Sequence, residues 1–138
     1  MSHAAVTADH FAARVEQLTD DRVVLAPPDT SYRLHLELDQ PLDAEVGDRV
    51  EGVVLARAKR VDVVPSGGRY IEPVYGRPRR VQGKLVGADA SRNAIKVHCG
   101  GCLMIAELTD PRQSLADFNL HQLVSFDVDR GAKFEVER

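Results

Sequence analysis

Short β-branched runs of alternating polarity follow one another along this chain, and no stretch carries a helical period. The runs are Val23 to Leu25, Tyr32 to Leu38, Val50 to Leu55, Val61 to Val64, Val81 to Val86, Ile95 to His98, Leu103 to Leu108, Leu123 to Val128 and Phe134 to Val136. A period of two sends alternate side chains to opposite faces, so each run predicts a strand with one buried face. Many short strands at close spacing predict an all-β barrel or sandwich. With 138 residues, the chain makes one ordinary domain or two very small ones. That length buries about two-thirds of the surface exposed by the unfolded chain.

The runs also repeat in order. Tyr-Arg-Leu-His-Leu-Glu-Leu at 32 to 38 lies seventy positions before Cys-Leu-Met-Ile-Ala-Glu-Leu at 102 to 108, and a polar turn with a proline, Pro41 or Pro111, follows each. The stretch Val50 to Val63 matches Leu123 to Val136 at an offset of seventy-three. Each half parses as a strand, a hairpin, an irregular connection and a final hairpin, which is the strand count of a small five-stranded barrel. The expected architecture is two similar OB-like barrels in tandem, residues 11–66 and 78–138, joined by an ordered connector at 67–77.

Leu103-Met-Ile-Ala-Glu-Leu, followed after a connection by Leu123 to Val136, resembles the end of a TOBE-type OB barrel. This small module is appended to transporter ATPases and occurs in tandem in molybdate-binding proteins. The resemblance implies a barrel fold and binding of a small oxyanion or regulatory ligand. The Ser-Ala-Arg-Asn opening and the repeated Gly-rich connections of the oxyanion-binding members are absent, so no binding residue is carried over.

Charge is segregated. Eight of the eighteen Lys and Arg residues lie between Arg57 and Lys84, where only Asp62 and Glu72 oppose them. The window is therefore net +6 on a body of −9, inside a total of −3. Surface fields are set by nearby charge and screened over roughly 8 Å at physiological salt, so such a belt can attract phosphate despite the acidic total. The connector, Pro65 to Arg80, combines prolines, glycines and arginines with Tyr70 and Tyr75. Its Ile71, Val74 and tyrosines gain from burial, which favours a segment draped on the barrels over a free linker.

Arginine suits phosphate because its planar guanidinium donates two parallel hydrogen bonds, and tyrosine offers a face for base stacking. The expected function is thus a non-enzymatic binding module whose inter-barrel surface meets single-stranded nucleic acid. Its candidate residues are Arg57, Lys59, Arg60, Arg69, Tyr70, Tyr75, Arg77, Arg79, Arg80 and Lys84. An alternative is a protein-interaction or assembly module with a structural connector, meeting an acidic partner protein or another copy. A further alternative is a small-oxyanion binder.

His98-Cys99-Gly100-Gly101-Cys102 is the one recognisable chemical motif. Cys99 and Cys102 with His98 are the candidates for a metal site, but a structural zinc takes four ligands, and His98 faces away from Cys99 in a strand. A Gly-Gly loop between two apolar runs predicts a plain hairpin, so neither metal nor cofactor is expected. His35 and His121 read as structural, and His3 and His10 fall in an N-terminal segment expected to fray. No phosphate-binding loop, dinucleotide fingerprint, nucleophile elbow or zinc-protease motif occurs, which argues against an enzyme. No run approaches the ~20 apolar residues of a membrane span, and neither a signal peptide nor a disulfide framework is visible. The expected location is cytoplasmic.

Overall fold

A computed structural model describes residues 6–137; His3 lies outside the described residues. The chain is all-β, and the described residues form eleven strands in one mixed sheet. The first four strands are β1 (Phe11–Leu18), β2 (Arg22–Ala26), β3 (Arg33–Glu37) and β4 (Arg49–Val64). Two short strands, β5 (Tyr70–Glu72) and β6 (Tyr75–Gly76), lie in the connector. The rest are β7 (Arg80–Asp89), β8 (Ala94–Cys99), β9 (Cys102–Leu108), β10 (Leu123–Val128) and β11 (Lys133–Val136), with single 3-10 turns at Ala90–Arg92 and Leu115–Asp117.

Hydrogen-bonded pairing runs in two circuits that meet on β4. One runs β1-β2-β3-β11-β4 and returns to β1, with β3 parallel to β11 through Lys133 opposite Glu37. The other runs β4-β10-β7-β8-β9 and returns to β4, with β9 parallel to β4. Pairing therefore crosses the expected boundaries at 66 and 78: β4 serves both circuits, and β11 joins strands of the first half. The core is continuous through both, from Phe11, Leu25 and Leu34 to Val97, Met104 and Phe126.

The separate runs Val50 to Leu55 and Val61 to Val64 belong to one strand of 16 residues, so the final hairpin expected in the first half does not form. The reason is local. Between the two runs lies Ala56-Arg57-Ala58-Lys59, which alternates buried alanine with exposed base and holds no turn-forming residue. Its counterpart Asp129-Arg130-Gly131-Ala132 has Gly131 at φ +96, a conformation that an alanine resists, and there the chain bends. Beyond that bend β11 continues along the same side of β4 as β10. Gly52–Leu55 pairs with Lys133–Val136, and Ala58–Val64 with Leu123–Val128.

The connector is held to both circuits. Its β5 is antiparallel to β7 and its β6 parallel to β3, while Ile71 is fully buried. Val74 corrects the expectation of burial: it is 51% exposed, and its carbonyl instead accepts the Arg33 N–H at 2.8 Å. No helix among the described residues is long and apolar enough to cross a membrane.

Candidate functional site

The eight-residue basic belt divides once its partners are assigned. Lys59 pairs with Asp129 at 3.7 Å, Arg60 with Asp62 at 3.2 Å and Arg80 with Asp127 at 2.8 Å. Arg80 also donates to Ser125 Oγ at 2.9 Å, so it ties β7 to β10, and the Asp127 hydrogen bond raises its pKa further. Arg80 thus has structural work, whereas the Lys59 and Arg60 pairs lie at the solvent-exposed surface. Arg57, Arg69, Arg77, Arg79 and Lys84 have no carboxylate within 4 Å among the described residues.

Arg77 lies where the connector meets the outer face of β2 and β3. On that face Val24 stands opposite His35, and Arg22 opposite Glu37. Tyr75, carried in by β6, is 62% exposed and sets its ring edge against His35, centroids 4.5 Å apart at 67°. Pairing of β6 with Arg33 and Leu34 fixes this arrangement, because it delivers Tyr75 beside β3 and leaves Arg77 just past the strand end. A cleft of about 460 Å³ opens there, lined by Arg22, Arg77 and Arg130 around His35, Gln17 and Glu37. Arg22 and Arg130, like Arg77, have no carboxylate within 4 Å among the described residues. Among the described residues the buried His35 Nε2 atom has no hydrogen-bond partner; a buried polar nitrogen without one is uncommon.

The remaining candidates are dispersed. Arg57 lines a neighbouring cleft with Arg92 and Lys133, which touches the first at Gly131. Tyr70 is half-buried, with its hydroxyl 3.4 Å from Gln82 Oε1. Arg79 is exposed. Arg69 and Lys84 lie by β8: Lys84 is opposite His98, and an Arg69 guanidinium nitrogen is 3.2 Å from His98 Nδ1.

Cys99 and Cys102 close the β8–β9 hairpin across the Gly-Gly loop, both fully buried, with sulfurs 3.4 Å apart. The contact with Cys99, and then burial, push the Cys102 thiol up. His98 turns away toward Arg69, so it does not join the cysteines. The one group of three metal-capable donors within 4.8 Å among the described residues is His10, Glu51 and Glu137, exposed to half-buried. His10 departs from the expected fraying: its N–H donates to Thr7 Oγ1 and its ring lies between the two carboxylates, at 3.6 and 3.1 Å.

No protein-family model, curated protein or solved structure matches this chain. The site must be read from its own geometry.

Sequence reasoning placed Tyr75 and Arg77 together but missed Arg22, Arg130 and His35. Arg22 sits in an acidic turn after Asp20-Asp21, which hides it among charges of the opposite sign. His35 did carry a signal: it breaks the apolar run Leu34-His35-Leu36 at an outward position, next to nothing that would satisfy it locally.

Proposed function

We propose that this protein is a non-enzymatic module that binds single-stranded nucleic acid on the outer face of β2 and β3. The observation carrying the proposal is the exposed Tyr75 ring set against His35, a residue of the cleft that Arg22, Arg77 and Arg130 also line, none of the three with a carboxylate within 4 Å among the described residues. A solvent-facing aromatic gives a base its stacking surface, and unpaired guanidiniums give the backbone its counter-charge. Arg80, by contrast, is already held by Asp127 and Ser125 of the neighbouring strand.

Fold supports the same choice of face. We read the two pairing circuits as two OB-like five-stranded barrels related by duplication, each completed by a last strand from the other. In the OB arrangement the face of the second and third strands binds oligonucleotides. In the first circuit those strands are β2 and β3. Matching β4 to β10 and β11 at an offset of seventy-three, and β3 to β9 at seventy, agrees with equivalent places along the two paths.

The test is fluorescence anisotropy with a labelled pyrimidine strand of about 12 nucleotides, within the usual footprint of one or two such barrels. Binding is expected at about 50 mM salt and falls steeply as salt rises. Replacing Arg22, Arg77 and Arg130 together by Gln flattens the log–log salt slope by about two units, at about 0.7 per phosphate released. Tyr75→Ala weakens binding by about 1–3 kcal/mol, the contribution of one stacked base. Absence of binding by the wild type at low salt, or an unchanged slope in the triple variant, would sink the proposal. Arg80 is left intact because its loss would break the β7–β10 contact.

A further inference from the structure

A third cleft, of about 580 Å³, lies where three loops converge at the start of β3. Its walls include Thr30, the Gly67-Gly68-Arg69 stretch of the connector, His98, and the Gly100-Gly101 turn of the cysteine hairpin. We propose that this cleft is a binding site for a phosphate group in its dianionic form. It stands on observations separate from the Tyr75 platform and does not depend on that reading.

The donors are assembled without an acid among them. Arg69 has no carboxylate within 4 Å among the described residues, and its guanidinium lies 3.2 Å from His98 Nδ1. A guanidinium only donates, so Nδ1 accepts, and the imidazole proton is fixed on Nε2. His98 is therefore a neutral donor held in one tautomer. Burial, then the charges of Arg69 and Lys84, lower its pKa and keep it so at neutral pH.

Backbone donors complete the set. The N–H groups of Gly67, Gly68, Arg69 and Gly100 make no hydrogen bond among the described residues. A Cβ built at Gly68 would meet nothing within 4 Å, so the cleft is open beside this glycine. Successive free peptide N–H groups in a concave turn form an anion-binding surface, and a planar guanidinium beside them suits two oxygens of one phosphate. The cleft holds no side-chain carboxylate to repel such a ligand.

Phosphate could arrive free or as the terminal phosphate of a strand.

Isothermal titration of the full chain with inorganic phosphate, in a phosphate-free buffer, tests the site. The expected result is saturable one-site binding, weakened at least about ten-fold in Arg69→Gln, the usual cost of losing a charge-assisted pair. Arg69→Lys, which keeps charge but loses the fork, falls between; both variants should melt with the wild type, since Arg69 is exposed in a loop. No saturable binding by the wild type, or equal affinity in Arg69→Gln, overturns the proposal. A second arm compares a 5′-phosphorylated oligonucleotide with its 5′-hydroxyl counterpart. Preference for the phosphorylated strand that disappears in Arg69→Gln makes the strand terminus the source, and equal binding of the two makes it free phosphate. Inorganic phosphate bound by a protein that takes no oligonucleotide would refute the platform and leave this cleft standing.

Discussion

At the scale of single residues, His98 links charge to conformation most directly. Its pKa lies below the ordinary histidine value of 6.5 because burial, and then Arg69 and Lys84, penalise the imidazolium. A folded pKa below the unfolded one means the unfolded chain binds more protons between the two values. Stability is therefore level above about 6.5 and falls as pH drops from there through the folded value. Proton NMR titration of the His98 ring should show a midpoint below that of an exposed histidine, and Arg69→Gln should move it upward by removing one neighbouring charge. A midpoint indifferent to Arg69 would mean that the 3.2 Å contact does not persist in solution. His35 has the opposite circumstance, an unpartnered nitrogen beside an exposed tyrosine, and it was hidden in the sequence because a lone histidine in an apolar strand resembles any half-buried one.

At the scale of elements, β4 decides the fold. Gly52, within its first half, has no room for a side chain: a Cβ there would collide with the Glu135 carbonyl and with the Phe134 ring 2.7 Å away. Because the obstacle is backbone of the paired strand β11, Gly52→Ala should force the two strands apart and destabilise by about 1–3 kcal/mol or more. Urea denaturation checks this, and a cost under about 0.5 kcal/mol, the range of neutral surface changes, would contradict the packing. Strand positions were largely legible, since Val23 to Leu25, Leu103 to Leu108 and Leu123 to Val128 each fall within an observed strand. Strand continuity was not. Arg57, Lys59 and Arg60 resemble a polar turn by charge, whereas their alternation with Ala56 and Ala58 is that of a strand with one buried face. Neither β5 nor β6 could be read, because prolines and glycines mask segments of three and two residues whose pairing is purely tertiary. That masking also concealed the proposed platform: the pairing of β6 with β3 brings Tyr75 to His35 and Arg77 into the cleft of Arg22.

At the scale of the molecule, the two circuits cannot be separated without breaking β4 or the β10–β11 line that runs beside it. Phe134 shows the consequence. It belongs to the last strand of the described residues yet is buried against Phe11 of the first, ring centroids 6.0 Å apart at 79°, while its own strand pairs with the first half of β4. A chain of two autonomous barrels would unfold in two steps, each with its own midpoint. Sharing of β4 predicts one step instead, because loss of either circuit strips one side of a strand that the other needs. Amide signals of Leu25 in β2 and Val97 in β8 should therefore disappear at the same urea concentration. Phe134→Ala, which removes a buried aromatic at a cost of about 3–5 kcal/mol, should lower both midpoints together although only the first circuit contains the residue. Survival of the Val97 signal after that of Leu25 is lost would mean that the second circuit holds without the first. In that case the arginines of the connector would join two independent bodies and would not be fixed on one.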